Sequence, residues 1–186
     1  DVDPAEIGRN YPVEVAVVGD AGTSVRALVQ AVGGARGERT SRTGEVAELK
    51  SKFREKMRDR SPEAVELIDQ VQSAVGRDGI VVGDVTTAAA WAYMLLEVDG
   101  PRSFLYPWGL ATLGAGFPMA MGASVARPDR KVLAICGDGG FMFSCAELDT
   151  AVQFGINIVA LVVNDSKFGI LEPQQMARFG RTIMTD

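Results

Sequence analysis

Two aspartates placed 27 residues apart, Asp138 and Asp165, each follow an apolar run of the kind that forms a buried strand. The first sits in Gly137-Asp138-Gly139-Gly140 after residues 131–136, the second in Asn164-Asp165-Ser166-Lys167 after residues 157–163. A third run, residues 80–82, leads into Gly83-Asp84-Val85-Thr86-Thr87. Carboxylate oxygens suit magnesium, which takes one or two of them and completes its shell with substrate phosphates. Gly139 and Gly140 lack Cβ atoms, so a diphosphate can approach their backbone N–H groups, and a helix that follows presents its positive end to the same place. Asp and Gly are equally the ordinary residues of turns, and either short motif alone reads as a turn after a strand. Their combination favours a site. Twenty-seven residues accommodate a helix and a return strand, a crossover that brings both aspartates to one sheet edge.

The elements that must position these residues follow from the apolar pattern. Strands are expected at 80–82, 131–136 and 157–163, and helices near 87–96, 114–126 and 144–154, with a Gly/Pro-rich loop between the first two helices. This alternation predicts an α/β fold, a parallel sheet with helices on both faces, in which ligands bind beyond the carboxyl ends of the strands. All three Asp-bearing strand ends should therefore open onto the same edge. Upstream, residues 13–18 read as a strand and 24–32 as a helix, a unit too small to cover a sheet and expected to be the tail of a Rossmann-like domain over residues 1–35. Residues 36–76 read as a charged linker and helices, and 77–186 as the diphosphate- and metal-binding domain. In 36–60, 14 of 25 residues are charged while Val46, Leu49, Phe53 and Met57 form one apolar stripe. Its basic residues alternate with acids, which favours a solvated helix over a phosphate patch. Ser61-Pro62-Glu63 marks a further helix start, with Ser61 able to cap and Val65, Ile68, Val71 and Val75 on one face.

Composition narrows the function. With 186 residues, 47% of them hydrophobic, the chain can build a core, and its net charge of −5 argues against a nucleic-acid partner. The absence of histidine removes Ser-His-Asp triads, histidine zinc sites and histidine acid-base catalysis. Cys136 and Cys145 match no zinc or redox spacing, Cys136 reading as a buried strand residue. No long apolar span or signal-like start is present, so no membrane association and a cytoplasmic setting are expected.

Residues 137–165, GDGGFMFSCAELDTAVQFGINIVALVVND, resemble the cofactor signature of thiamine-diphosphate-dependent enzymes. Residues 107–132, PWGLATLGAGFPMAMGASVARPDRKV, are similar to the preceding segment of the acetolactate synthase and 2-oxo acid decarboxylase group, and residues 1–21, DVDPAEIGRNYPVEVAVVGDA, to the end of that group's central domain. The resemblance implies thiamine diphosphate and Mg2+ as cofactors. Asp138, Asp165 and the Lys167 carbonyl would ligate the metal, and Gly139 and Gly140 would donate to the diphosphate, helped by Val85, Thr86 and Thr87. Leu113 would wedge the cofactor into a bent shape, the Ala111 carbonyl and Leu113 N–H would hold the aminopyrimidine, and Ile170 and Leu171 would lie near the thiazolium and the substrate. The bend brings the pyrimidine's imino group against the thiazolium C2–H, so the cofactor removes its own proton. The implied reaction is decarboxylation of a 2-oxo acid such as pyruvate, with possible carboligation to a second carbonyl compound. A homodimer or homotetramer is expected. The activating glutamate of the family belongs to a separate amino-terminal domain and is expected outside this chain, so these residues alone should be inactive. Where the family signature ends in Asn-Asn, this chain has Asn164-Asp165, a second carboxylate on the metal.

Two other functions remain to be weighed: a module of the same fold that binds the cofactor without turnover, and a magnesium-dependent phosphoryl-transfer enzyme. The chain has no Gly-Lys-Ser/Thr phosphate loop for the latter, and no Asp-x-Asp pair follows any of its anticipated strands. Trp91 reads as a core residue, Trp108 as either substrate mouth or subunit contact, and Glu147 as structural. Gly114, Gly116 and Gly122, with Ala120 and Ala123, are expected to let a helix pack closely. Gly19-Asp20-Ala21-Gly22 lacks the spacing of a dinucleotide fingerprint.

Overall fold

A computed structural model describes residues 1–33 and 41–185; the part of the charged linker at 36–40 lies outside the described residues. The chain divides into two compact units, Asp1–Glu48 and Leu49–Asp186.

In the first unit a 3₁₀ turn, Pro4–Glu6, is followed by helix α1, Ala21–Gly33. The helix begins three residues before the anticipated start because Asp20 caps it: its carboxylate accepts from the Thr23 N–H at 2.8 Å and the Thr23 hydroxyl at 2.9 Å. Those bonds hold the Asp20 carboxyl below its ordinary range. The strand anticipated at 13–18 does not form. Val13, Val15 and Val17 are exposed, and the Asp1 amino group donates to the Val17 carbonyl at 3.1 Å while the Gly19 N–H donates to Asp1 at 2.8 Å. Two bonds around one residue are not a ladder, and alternating valines become a strand only with a neighbour to pair with.

Helix α2, Thr43–Arg60, carries its apolar stripe unevenly. Val46, Leu49 and Phe53 are exposed, and Met57 packs against the core of the second unit, to which residues 49–60 belong. Helix α3, Pro62–Val75, starts with Pro at its first position, although the Ser61 side chain makes no capping bond. It ends at Gly76, whose φ of 75° lets the chain turn away while its N–H bonds the Gln72 carbonyl at 2.9 Å. The predicted face of Val65, Ile68, Val71 and Val75 is buried.

Four parallel strands follow with their crossover helices: β1 Ile80–Gly83, α4 Thr87–Leu95, β2 Phe104–Leu105, α5 Gly116–Ala126, β3 Val132–Gly137, α6 Asp138–Met142, α7 Glu147–Gln153, β4 Val159–Val163, and last α8 Leu171–Phe179. The sheet order is β2-β1-β3-β4. Register pairs Ile80 with Val132, Gly83 with Ile135, and Gly137 with Val163. The strand period of two sorts side chains into two cores. Val81, Leu133 and Ile135 pack under α3 and α4, with Ile68 and Ala89. Ile80, Val82, Ala134 and Cys136 pack under α5 and α7, with Phe117 and Ala151. Burial on both faces explains why β1 and β3 read as unbroken apolar runs. Three differences from expectation stand out. Strand β2 lies in the Gly/Pro-rich loop, α8 follows the second Asp motif, and the helix expected at 144–154 is shortened to α7 and preceded by a separate short helix, α6, that starts at Asp138 itself.

Candidate functional site

Parallel strands place β1, β3 and β4 with their carboxyl ends together, and a cavity of about 570 Å3 opens beyond them. That volume is within the range of about 300–1,000 Å3 usual for small-molecule sites. The end of β1 contributes Val85, Thr86 and Thr87 to its lining, and the end of β3 contributes Asp138, Gly139 and Gly140. The loop after β4 contributes Asp165 and Lys167, then Ile170 and Leu171 at the start of α8, while Ala111 and Leu113 come from the loop before α5. Every residue singled out for metal or cofactor from the sequence thus lines one cavity.

Donors at the β1 end are partly committed. The Val85 N–H bonds the Asp84 carboxylate at 2.7 Å and the Thr86 N–H bonds the Asp84 carbonyl at 2.9 Å. An anion would therefore meet the Thr86 hydroxyl, which makes no capping bond, and the N–H of Thr87 in the first turn of α4, a donor that a helix leaves without an internal acceptor.

The glycines also serve the packing of the fold. A Cβ on Gly139 would stand 2.6 Å from the Phe168 ring, and one on Gly140 would stand 3.0 Å from an Asp84 carboxylate oxygen. Absent side chains thus make room for the protein's own groups, and the backbone of Gly139 and Gly140 is what lines the cavity. Helix α6 has five residues, too few for an appreciable macrodipole, so local N–H groups rather than a long helix end face an anion there.

On the β4 side, the loop is indeed a turn as well as a lining segment. Asn164 accepts from the Ser166 N–H at 2.9 Å, Asp165 accepts from the Lys167 N–H at 3.3 Å, and Ser166 has φ 57°. The Asp165 carboxylate also lies against Gly169, where a Cβ would require that exposed side chain to turn away. The Lys167 ammonium pairs with Glu172 at 2.7 Å. Opposite, Ala111 has φ 50°, a left-handed conformation costing an L-residue roughly 1–2 kcal/mol, which here shapes the backbone just before Leu113.

Sequence reasoning missed several lining residues. Trp91, expected only in the core, packs against it and also lines the cavity, as do Phe168, Glu172 and Gln174. Trp108 is absent from the lining; it meets Tyr93 edge-on and Tyr106 at a tilt, with ring centroids 5.0 and 4.7 Å away. Glu147 is exposed on α7. Gly114 and Gly116 are closely packed as expected, whereas Gly122 has nothing within 4 Å of a would-be Cβ because it faces away from the sheet. The largest omission is Asp84, fully buried at the end of β1. Its sequence signal was the Gly-Asp pattern shared with Asp138. Burial pushes the neighbouring Cys136 thiol up to about 12, and raises Tyr106 as well, with the Asp84 charge adding to both.

Comparison with known proteins agrees with this geometry. Residues 84–186, more than half of the chain, match the family described as "Thiamine pyrophosphate enzyme, C-terminal TPP binding domain". The chain is 31% identical to a probable acetolactate synthase large subunit of Methanococcus aeolicus over 97% of its length and 33% of that protein. It is 31% identical to a probable 2-ketoarginine decarboxylase of Pseudomonas aeruginosa, over 91% of this chain and 30% of the other. Among solved structures, a thiamine diphosphate-dependent 4-hydroxybenzoylformate decarboxylase of Rhodococcus jostii superposes with a TM-score of 0.61 at 27% identity, covering 66% of this chain and 23% of that one. A parallel α/β sheet with its cavity at the strand ends and this family match define a thiamine-diphosphate-binding fold. The chain belongs to the thiamine pyrophosphate enzymes and carries their C-terminal cofactor-binding domain. It spans about one third of the length of these curated relatives. Among the described residues, no helix is long and apolar enough to cross a membrane.

Proposed function

We propose that the protein decarboxylates a 2-oxo acid such as pyruvate with thiamine diphosphate and magnesium, and passes the resulting unit to a second carbonyl compound in the manner its acetolactate synthase relatives suggest. The observation that carries the metal is the charge of the cavity. Among the described lining residues three carboxylates, Asp138, Asp165 and Glu172, stand against one ammonium, Lys167, which is already paired with Glu172. A diphosphate entering such a cavity would meet repulsion that backbone N–H groups alone offset poorly, and a divalent cation held by these carboxylates would supply the positive charge that offsets it. Two carboxylates and one backbone carbonyl are oxygen donors of the kind magnesium takes, and they would hold it together with phosphate oxygens and water.

The residues present fit the cofactor. Asp138, Asp165 and the Lys167 carbonyl would hold the metal, with the N–H groups of Gly139 and Gly140 and the Thr86 and Thr87 groups on the diphosphate. Leu113, beside the left-handed Ala111, would support the bend, and Ile170 and Leu171 would form the apolar wall next to the reacting carbon. Bound thiamine diphosphate supplies a carbon nucleophile that adds to the oxo acid and accepts the electron pair left when carbon dioxide departs. We further propose that the protein is a cytoplasmic homo-oligomer, with turnover expected of the full natural chain and not of these 186 residues alone.

Calorimetric titration of thiamine diphosphate into the full natural chain, with and without magnesium and beside Asp138→Ala, tests this reading. Tight binding that needs magnesium and is lost in the variant is expected, followed by carbon dioxide release from pyruvate or another 2-oxo acid. Binding without turnover of any oxo acid would leave a cofactor-binding module. No binding would overturn the metal and cofactor roles together.

A further inference from the structure

Asp84 is an anomaly of the molecule. Its side chain is fully buried, and among the described residues no basic group pairs with it. A carboxylate in that position is costly unless dipoles replace water around it. Here the dipoles are backbone N–H groups from two different segments. Val85 donates at 2.7 Å, and Gly114 donates to both oxygens, at 3.0 and 3.2 Å. Gly114 lies two residues before α5, an eleven-residue helix whose positive end adds to the compensation.

Three glycines close around the same side chain. A Cβ on Gly116 would come within 2.7 Å of the Asp84 Cβ, and one on Gly140 within 3.0 Å of the carboxylate. Gly114 has φ 80°, and a Cβ there would lie 2.6 Å from Phe143 and 3.2 Å from the Gly140 carbonyl. Asp84 is thus the peg on which three cavity segments meet: the β1 end with Val85 and Thr86, the loop carrying Leu113, and the first turn of α6 with Gly139 and Gly140.

Building on the cofactor-site reading above, we propose that Asp84 is a positioning residue, whose buried carboxylate sets the spacing between the Leu113 loop and the anion-facing backbone of Gly139 and Gly140. It touches neither cofactor nor substrate. A carboxylate offers two acceptor oxygens to Gly114 and Val85, an amide offers one, and a methyl none. Cofactor affinity should fall in that order, while the chemistry of bound cofactor, remote from Asp84, changes little.

The test compares wild type, Asp84→Asn and Asp84→Ala in the full natural chain. Each is titrated calorimetrically with thiamine diphosphate in saturating magnesium, well below its unfolding midpoint, and amide exchange is followed over residues 106–116. Asp84→Asn is expected to weaken binding about 5- to 10-fold and Asp84→Ala at least 30-fold. Exchange at Leu113 and Gly114 should quicken in the same order, and kcat at saturating cofactor should stay within threefold. Ile68→Val, a core change on α3, serves as the stability control and should lower the unfolding midpoint without moving the Kd. If both Asp84 variants melt lower but bind within twofold of wild type, Asp84 is a core residue only and the proposal falls. Should Asp84→Ala fail to fold, the Kd of Asp84→Asn decides alone by the same twofold criterion. Failure of the wild type to bind would instead refute the cofactor site, and the positioning role with it.

Discussion

Replacing Gly116 and Gly122 by alanine makes the same chemical change twice in one helix, and the structure assigns the two opposite signs. At Gly116 the new methyl would stand 2.7 Å from the Asp84 Cβ and 3.0 Å from its Cα and N. Carbon atoms settle at about 3.5–4.0 Å, so a separation of about 1 Å must be found. Asp84 cannot readily retreat, because its N–H is bonded to the Ile135 carbonyl at 2.8 Å within the sheet. Overpacking of this kind costs about 1–3 kcal/mol, offset by roughly 0.4–1 kcal/mol from the lower entropy of an unfolded alanine. Gly116→Ala should therefore destabilise by about 1–2 kcal/mol. Gly122 sits in the interior of α5, exposed and with nothing within 4 Å, so Gly122→Ala should stabilise by roughly 0.5–1 kcal/mol. Urea unfolding midpoints, compared at a shared slope, read the difference directly. Two variants that agree in sign, or that differ by less than about 0.5 kcal/mol, would refute the close approach of α5 to the end of β1.

Other expectations are simpler to state. Phe117, fully buried between α5 and the sheet and edge-on to Phe141 at 5.4 Å, should cost about 3–5 kcal/mol on truncation to alanine in the same urea assay. Asp165→Asn removes one of three lining carboxylates; metal-free affinity for thiamine diphosphate should rise about 5-fold, roughly 1 kcal/mol for an exposed unit charge, and the ratio of affinities with and without magnesium should shrink. An unchanged ratio would contradict the charge balance drawn for the cavity. Of the two thiols in these 186 residues, Cys145 should react with an aromatic disulfide reagent under native conditions, and Cys136 only on unfolding. Burial keeps the Cys136 thiol protonated in the fold while an unfolded thiol ionises near 8.5, so its contribution to stability is complete below that pH and is lost as pH rises toward about 12. Cys136→Ala should flatten that alkaline loss.

Legibility of this chain tracks how local the cause of each feature is. Strands β1 and β3 were readable because burial on both faces leaves no polar alternation to confuse, and because each ends in Gly. Residues 13–18 carry an equally good apolar pattern and form no strand, since pairing depends on a neighbour that the pattern cannot specify. Strand β2 has two residues, too short for any periodicity, and exists because Ser103, Phe104 and Leu105 lie beside β1. The glycines of 137–140 favour a turn by propensity, yet α6 starts there, with Gly140 held against Asp84 and Gly139 against Phe168. The strand-end part of the lining was readable from topology: once three strands run parallel, whatever follows their last residues shares one edge, whereas Ala111 and Leu113 were named only through the family resemblance. Asp84 was not, because its importance arises where residues 84, 114–116 and 140 converge, and no stretch of the chain contains all of them.

Three aspartates of the same chemical type follow strands of one sheet, and burial alone divides their work. Asp84 follows Gly83 directly and is closed over by Gly114, Gly116 and Gly140, so its charge is taken up by backbone donors and unavailable to a ligand. Asp138 follows Gly137 at the rim, half-buried, and Asp165 lies two residues past Val163, exposed on a turn; both line the cavity. Had Asp84 faced the cavity as well, a fourth carboxylate would have opposed an entering diphosphate. Turned inward, the same residue instead fixes the backbone groups that an anion must meet. On the function proposed above, an acidic chain could build an anion site because its carboxylates are sorted by depth: one would organise the peptide N–H groups, two would hold a cation, and Glu172 is matched by Lys167 at 2.7 Å. The order of the depths is set by small residues, which is why the glycines around Asp84 bear on ligand binding without lining the cavity at Gly114 and Gly116.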